Sequence, residues 1–348
     1  MEYYYIADQD LPAFINRLAK DTKVVGPVKK ENLFIFSPID DFSQLELDSI
    51  STILPPKKYF TPQHQDLGIF RTDDAALTET AAEVEKMVVF GIHTCDIEGI
   101  ECLDAALNEH PPDPYFNKRK ENIIIIGHEC LKACDEFATC RTMDTHIPKA
   151  GYDIMLTKSE EKYIAHSISE KASSLVQRYK DLFKQANLEK VREELSSIRI
   201  KKEKDFPYLL DAHYGELTSI FRGLYGSGVW DDVGKRCVSC GNCTNVCPTC
   251  YCFDVSDHTD LDNVHGARSR QWDSCQLNEF ALVAGGDNFR ESSKERQRHR
   301  YYRKFDYPVR KYNKFFCTGC GRCTRTCVAD ISLIETVNSL TKEYKNDR

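Results

Sequence analysis

Two runs of cysteines with the same spacing are the residues of this chain best suited to chemistry. Each run has the form C-x2-C-x2-C-x3-C, and their members are Cys237, Cys240, Cys243 and Cys247, then Cys317, Cys320, Cys323 and Cys327. This is the spacing of bacterial ferredoxins, whose thiolates hold two [4Fe–4S] clusters. Thiolates are soft ligands and therefore suit iron–sulfur clusters. The spacing therefore predicts two [4Fe–4S] clusters.

The fourth cysteine of each ferredoxin run binds the cluster of the other run. We therefore expect cluster 1 at Cys237, Cys240, Cys243 and Cys327, and cluster 2 at Cys317, Cys320, Cys323 and Cys247. Pro248 follows the first run, whereas Val328 replaces the usual proline after the second, which affects a turn and not a ligand. Structural zinc is the alternative, but zinc sites use paired C-x2-C knuckles, and two triple steps fit that pattern badly.

A third set of cysteines lies in the first part of the chain. Cys95 and Cys130 each follow a strand-like run, and the carboxyl ends of parallel strands gather at one edge of a sheet. Cys130-x3-Cys134-x5-Cys140 then supplies a compact loop of three thiols. We predict a third [4Fe–4S] cluster at Cys95, Cys130, Cys134 and Cys140. The alternative is that they are buried free thiols, which behave as small apolar side chains.

Four cysteines stay outside these sets. Cys102 lies on a helix-like stretch and fits a buried free thiol. For Cys250, Cys252 and Cys275 no fourth partner is evident, so a structural role beside the clusters is favoured over metal binding.

The elements that must position these thiols alternate between strand and helix patterns. Short apolar runs rich in β-branched or aromatic residues predict strands at residues 32–38, 67–71, 86–92 and 122–128. Apolar residues at helical spacing over 97–107 complete a strand–helix–strand unit. Residues 152–167 predict a hairpin, and residues 169–198 predict one long helix. The expected fold is an α/β N-terminal domain followed by an α-helical, ferredoxin-like dicluster domain with a long insert.

The distribution of cysteines divides the chain. Five of the sixteen lie between positions 95 and 140, and eleven lie between 237 and 327. We expect an α/β domain over residues 1–200, a linker over 201–233 and a dicluster domain over 234–348 that contains the insert 248–316. The Gly-rich stretch 223–230 does not match G-x-G-x-x-G and is interpreted as a connecting turn.

Bulk properties limit the compartment and the partners. The 348 residues contain no apolar run near the roughly 20 residues of a membrane span, and the acidic start M-E-Y-Y-Y-I-A-D-Q-D lacks the features of a secretory signal. We therefore expect a cytoplasmic protein with reduced thiols and no membrane partner. A net charge of −7 argues against nucleic acid as a partner. The basic, tyrosine-rich segment 290–314 keeps a nucleic-acid-binding iron–sulfur protein as the alternative function.

Three stretches of the C-terminal part resemble one known family. They are C-P-T-C-Y-C-F-D-V from Cys247, R-Q-W-D-S-C-Q-L-N-E-F-A-L-V-A-G-G-D-N-F-R from Arg270, and F-F-C-T-G-C-G-R-C from Phe315. They are similar to the iron–sulfur beta subunit of cytoplasmic NiFe sulfhydrogenases and to its relative, the A subunit of anaerobic sulfite reductase. The resemblance is specific over about residues 234–335 and looser before them. Family members carry a C-x-C pair where this chain has A-T-C-R-T-M and an extra Cys134, so the third ligand set is shifted.

The resemblance implies an electron-transfer subunit of a hetero-oligomeric oxidoreductase complex. Such a subunit relays electrons between a flavin- and NAD(P)-binding subunit and a catalytic subunit of the hydrogenase or sulfite reductase type. The chain itself shows no dinucleotide fingerprint and no Ser/His/Asp grouping that spacing supports. We therefore expect no catalytic residues and no catalysis by this chain alone.

Overall fold

The computed structural model describes residues 2–48, 50–73, 77–79 and 84–347. Met1 and Arg348, the outer limits of the two predicted domains, lie outside these ranges. The strands are β1 (Glu2–Ala7), β2 (Lys23–Lys30), β3 (Leu33–Ile39), β4 (His64–Arg71), β5 (Leu77–Glu79), β6 (Met87–Ile92), β7 (Ile123–His128), β8 (Ile154–Ser159), β9 (Lys162–Ser167), β10 (Lys184–Gln185), β11 (Phe253–Thr259) and β12 (His265–Trp272). The α-helices are α1 (Leu11–Asp21), α2 (Thr94–Leu107), α3 (Pro114–Asn122), α4 (Glu170–Arg178), α5 (Leu188–Lys202), α6 (Leu217–Gly223), α7 (Val229–Arg236), α8 (Asn242–Asn245), α9 (Ser293–Phe305), α10 (Tyr307–Tyr312), α11 (Arg322–Arg325) and α12 (Leu333–Asn346).

An eight-stranded sheet with helices on both faces forms the N-terminal part. Its strand order is β10-β1-β9-β8-β7-β6-β2-β3, and its central strands β2, β6, β7 and β8 are parallel. The sequences M-V-V-F-G-I and I-I-I-I-G-H are apolar almost throughout because both faces of these strands are covered. Side chains of α1 and α4 pack in one apolar core, and those of α2 and α3 pack in another. Three of the four strands predicted from apolar runs lie in this sheet as β3, β6 and β7, and the fourth forms β4 in a second sheet. The four predicted strands and the α/β class of this part are confirmed.

The strand–helix–strand unit and the hairpin are also confirmed. β6 pairs with β7 in parallel, and the predicted helix forms as α2 between them. β8 and β9 pair antiparallel around a tight turn, where Glu160 adopts a left-handed backbone with φ 54°. The parallel pairing places the residues that follow β6 and β7 at one edge of the sheet, which is where Cys95 and Cys130 occur.

The prediction of one long helix over residues 169–198 is wrong. The chain forms α4, then the short strand β10 and then α5. Tyr179 and Phe183, just after α4, are buried in the first core, and β10 pairs with β1 at the edge of the sheet. The Asn187 side chain then accepts hydrogen bonds from two backbone N–H groups and starts a new helix. Tertiary packing and a helix cap therefore overrule a periodicity that is continuous in the sequence.

Part of the long insert in the predicted α-helical, ferredoxin-like C-terminal domain forms strands. β11 and β12 form a hairpin, and β12 pairs with β4 from the N-terminal part in a second sheet of order β11-β12-β4-β5. The insert thus continues a sheet that starts far earlier in the chain. The hairpin places Cys252 just before its first strand and Cys275 just after its second.

A helical core carries the rest of the C-terminal half. Residues from α6, α7, α9 and α12 pack around Trp230, which is fully buried. α6 lies within residues 201–233 and α7 begins there and runs past residue 233, so this segment is packed and not an extended connection. Residues 224–228, between α6 and α7, form the turn expected for the Gly-rich stretch. The division into residues 1–200, 201–233 and 234–348 stays a prediction.

Within the described residues, no helix is both long enough and apolar enough to cross a bilayer.

Candidate iron–sulfur site

The two cysteine runs fold into loops of the same shape. Ser239 and Gly319 have φ values of 56° and 66°, and Gly241 and Gly321 have φ values of 78° and 73°. Glycine tolerates this left-handed region without a steric penalty, which accounts for glycine at three of the four positions. The second left-handed residue of each loop precedes a four-residue helix, α8 in the first loop and α11 in the second. Each loop therefore turns tightly between cysteines that are three residues apart.

Each loop borders one cavity, together with the fourth cysteine of the other run. The first cavity is lined by Cys237, Cys240, Cys243 and Cys327. The second cavity is lined by Cys317, Cys320, Cys323 and Cys247. The structure thus brings together the four members of each predicted set. Cys323 borders both cavities, so the two cavities adjoin.

The chemistry of these thiols fits a multi-iron group. Burial, with the charge of neighbouring thiols, raises the pKa of Cys243 to about 12 and that of Cys320 to about 11. Thiolates crowded in this way need cations between them, which iron supplies. Backbone N–H groups of Ser239 and Ile331 already donate to the sulfurs of Cys237 and Cys327, at 3.4 and 3.3 Å.

A single metal ion fits the same thiols poorly. Within the residues that the structure describes, no three His, Cys, Asp or Glu side chains converge closely enough to hold one ion. A cubane has a separate iron for each thiolate, so its ligands are spread around a larger body. The arrangement of thiols around a cavity therefore favours [4Fe–4S] clusters over structural zinc.

Helix α9 supplies positive charge to both cavities. It begins with a capping box formed by Ser292 and Glu295, and residues three, four and seven apart then share one face. On that face Gln297 donates to the Cys237 sulfur at 2.9 Å, and Lys304 donates to the Thr249 hydroxyl at 2.7 Å. Arg300 lies between them and borders both cavities.

Arg300 is a buried cation whose acidic neighbours are mainly thiols. Its side chain is largely inaccessible, and its Nε has no hydrogen-bond partner among the described residues. Burial opposes its charge, but the thiolates of Cys243 and Cys323 outweigh that effect and raise the pKa of Arg300 above its usual value. A cation held in this position is suited to stabilise an anionic group in the cavities.

The burial of cations on α9 argues against the alternative function, which is nucleic-acid binding. The basic segment 290–314 contains α9, and three of its cations, Arg296, Arg300 and Lys304, are buried. Buried cations cannot contact phosphate groups of a nucleic acid. Arg300 and Lys304 border the thiol cavities instead, which favours an iron–sulfur role for this segment.

The third predicted set gathers at the carboxyl edge of the large sheet. Cys95 lies in the first turn of α2, and Cys130 follows β7 and accepts hydrogen bonds from Thr94. Burial raises the pKa of Cys140, and the charges of Cys130 and Cys134 raise it further. Burial likewise raises the pKa of Cys95, with Cys130 among the charges that contribute. Of the four thiols, Cys130 and Cys134 border one cavity beside His93 and His128, whereas Cys95 and Cys140 do not line it.

The loop of the third set lies directly against the loop of the second cavity. The Thr139 N–H donates to the Gly319 carbonyl at 2.8 Å. A Cβ atom at Gly319 would lie 2.5 Å from the Cys140 nitrogen, so a larger residue cannot occupy this position without movement. The charge of Cys320 also acts on Cys95 and Cys140. The three thiol groups thus form a continuous series across the two parts of the chain.

A buried ion pair that sequence reasoning missed joins these parts. Arg322, next to Cys323, reaches into the N-terminal part and donates to Asp96, next to Cys95, with an Nη2–Oδ2 distance of 2.7 Å. The Arg322 Nε also donates to the Thr52 carbonyl at 2.6 Å. Both charged side chains are almost fully buried. Each charged residue adjoins a predicted ligand, but spacing in the sequence gives no indication that the two meet.

Cys250, Cys252 and Cys275 also come together. They line a further cavity of about 280 Å³ with Arg303 and Lys304. Sequence reasoning found no common partner for them, and the long separation between Cys252 and Cys275 hides their contact. Cys102 lies apart in the core, where its thiol faces the Phe315 carbonyl at 3.5 Å.

An α/β part joined to two ferredoxin-type loops defines an iron–sulfur protein of the electron-transfer class. Residues 236–331 match the family described as a 4Fe-4S dicluster domain. The chain is also 35% identical over 342 residues to "Sulfhydrogenase 2 subunit beta" of Pyrococcus furiosus, with 98% of each chain covered. The chain therefore belongs to the sulfhydrogenase beta-subunit family, and the resemblance expected from its motifs is confirmed.

Proposed function

We propose that this chain relays single electrons inside a hydrogenase- or sulfite-reductase-like complex. Three [4Fe–4S] clusters would be held by the three sets of cysteines named above, and each cluster takes up and releases one electron. The observation that carries the proposal is the lining of two adjoining cavities by four cysteines each. The contact of Gly319 with Cys140 extends the series to the third set.

The two ends of this series are the proposed contact points for partner subunits. At the first cavity, Val238 and Val328 are 62% and 68% exposed, and exposed apolar side chains beside a functional site suit a docking protein. At the other end, Cys130 and Cys134 border the open cavity of the large sheet. We propose that a flavin- and NAD(P)-binding subunit and a catalytic subunit contact these ends in a cytoplasmic hetero-oligomer.

The chain alone is expected to take electrons from a one-electron reductant but not from a nicotinamide. NAD(P)H delivers a hydride, whereas a cluster accepts one electron, so a flavin must separate the pair. We expect the anaerobic, flavin-free chain to be reduced by dithionite and to stay oxidised with NADH or NADPH. The visible absorbance of the clusters and their low-temperature EPR signals measure this.

Addition of the cognate flavoprotein provides the control for this experiment. It should make NAD(P)H competent without any change in the iron content of the chain. Reduction by NAD(P)H without a partner, or stoichiometric flavin in the purified chain, would contradict the relay function and point to a flavin site in the N-terminal part.

Replacement of Arg300 by glutamine is expected to lower the reduction potentials of clusters 1 and 2. The buried positive charge stabilises the reduced, more negative clusters, and its loss should cost about 1–2 kcal/mol per electron at an effective dielectric of about 20. That energy corresponds to a shift on the order of 40–90 mV. A redox titration followed by EPR measures the shift.

Arg298→Gln is the matched control on the same helix. The Arg298 guanidinium lies over the Tyr225 ring, 3.9 Å from its centre, and does not border either cavity. The Arg298→Gln replacement removes the same charge and should shift the reduction potentials of clusters 1 and 2 much less than Arg300→Gln does. Equal shifts in the two variants would show that Arg300 has no specific electrostatic role.

A further inference from the structure

Three thiols outside the proposed cluster sets lie in contact with one another. Cys252 shares hydrogen bonds with both Cys250 and Cys275, and all three border the same cavity of about 280 Å³. The β11–β12 hairpin accounts for this contact, because Phe253 pairs with Trp272 and the Asp273 N–H donates to the Cys252 carbonyl at 3.1 Å. Residues 252 and 275 therefore meet at the base of the hairpin.

Cations surround these thiols. Lys57 is buried, donates to the Cys250 carbonyl at 3.0 Å and lies over the Trp272 ring at 4.1 Å from its centre. Lys304 lines the cavity and is also buried. Burial lowers the pKa of Lys57, and the thiolates of Cys250 and Cys247 offset only part of that effect. Burial also opposes the charge of Lys304, but the thiolates of Cys247 and Cys250 outweigh it and raise the pKa of Lys304. Reactive thiolates are found in electropositive surroundings of this kind.

The arrangement suits a bond between two sulfurs better than a bound ion. Cys252 lies between the other two thiols, and within the described residues no three such side chains converge on a single ion. Cys250 is held by its backbone, since its N–H bonds to the Cys247 carbonyl and its own carbonyl binds Lys57. Cys275 lies just after the end of β12, and the hydrogen bonds with Cys252 lower the pKa of both Cys250 and Cys275 despite burial.

We propose that Cys252 and Cys275 form a dithiol–disulfide redox site that reacts with anionic, low-molecular-weight disulfides. The narrow cavity admits a small reagent, and Arg300, Arg303 and Lys304 along its wall favour a negative charge. The inference goes beyond the electron relay and does not depend on the assignment of the clusters.

The reaction is a thiol–disulfide exchange in two steps. Cys252, the more exposed of the pair, passes its proton to the Cys275 thiolate through their shared hydrogen bond, and the Cys252 sulfur attacks one sulfur of the reagent. The other half of the reagent leaves as a thiolate and takes this proton from Cys275. The Cys275 thiolate then attacks the Cys252 sulfur of the mixed disulfide and expels the second half as a thiolate. One protein thiol, one protein thiolate and one external disulfide thus become one protein disulfide, one external thiol and one external thiolate, so the protein loses two electrons and one proton to the reagent.

The experiment uses the full chain, purified anaerobically with its iron. It is mixed with the disulfide of mercaptoacetate, with neutral 2-hydroxyethyl disulfide or with cationic cystamine, and is then quenched and alkylated. Mass spectrometry of digested protein should show a linked Cys252–Cys275 pair that dithiothreitol reverses. Each rate is divided by the rate of the same reagent with a neutral model thiol. After this correction, the anionic reagent should react about tenfold faster than cystamine.

Three variants make the outcome decisive. Cys252→Ser and Cys275→Ser should abolish the linked pair with unchanged iron, whereas Cys250→Ser should retain it. A Cys250–Cys252 link, no linked pair with any reagent, or equal corrected rates for the anionic and cationic reagents would overturn the proposal. Loss of bound metal in the Cys275→Ser protein would also overturn it, because the thiols would then be ligands. A purified chain that contains little iron but still forms the Cys252–Cys275 disulfide would contradict the proposed clusters and support this redox site.

Discussion

The Cys134→Ser chain should contain about eight iron atoms where the unaltered chain, purified without oxygen, contains about twelve. Cys134 belongs to the third set, and its thiolate is the ligand expected for one of the four irons there. Serine offers a hard oxygen in place of a soft thiolate and binds the iron of a cluster poorly. The third cluster should therefore be lost, whereas the two cavities of the ferredoxin-type loops should keep their clusters. Iron analysis combined with EPR of the dithionite-reduced protein measures the change.

Cys102→Ser is the matched control for this prediction. Cys102 is also a buried thiol of the N-terminal part, but its side chain faces a backbone carbonyl and not the third set. This variant should retain about twelve irons. About eight iron atoms in the unaltered chain would contradict the third cluster. An unchanged iron content in the Cys134→Ser chain would exclude Cys134 as a ligand.

Replacing Arg322 with methionine is expected to destabilise the protein by about 3–5 kcal/mol, since it leaves the Asp96 carboxylate buried without its partner. The pair also joins the loop of the second cavity to the start of α2, next to Cys95. Urea unfolding of the iron-loaded chain under argon measures the loss. A double replacement, Arg322→Met with Asp96→Leu, should recover part of it because both buried charges are then gone.

Arg325→Met provides a comparison on the same short helix. Arg325 pairs with Asp135, and both side chains are partly accessible, at 22% and 17%. Its replacement should cost about 1 kcal/mol, in the range of exposed ion pairs. A cost for Arg322→Met as small as that for Arg325→Met would show that the buried pair does not hold the two parts together.

The local elements of the N-terminal part could be predicted because the signals were local. The apolar runs of β6 and β7 are too regular for a loop and too short for a helix, and the hairpin β8–β9 has a polar turn between two strand patterns. The break between α4 and α5 could not be predicted, since it depends on Phe183 entering a core built from distant elements. Periodicity shows only which side of a helix is apolar. It does not show whether the helix ends early because the following residues pack against distant elements.

The β11–β12 hairpin could not be predicted either, because it depends on pairing between strands that are distant in the sequence. Every residue of β11 is exposed, so this strand lacks the apolar alternation that marks a half-buried strand. β12 pairs with β4, far earlier in the chain, and that pairing brings the hairpin to the N-terminal part. Without it, the contact of Cys252 with Cys275 has no signature in the sequence.

The chemistry expected of this protein follows from the types of its residues and their spacing. Soft thiolates at steps of three can reach separate irons of one cluster only from a tight loop, so the spacing and the glycines specify both the group and the shape of the loop. The relation of those loops to the rest of the chain depends on the folded molecule. Folding placed Arg300 between two cavities, Arg322 against Asp96 and residue 319 against Cys140, because charge pairing and close packing act between residues that are near in space and distant in sequence.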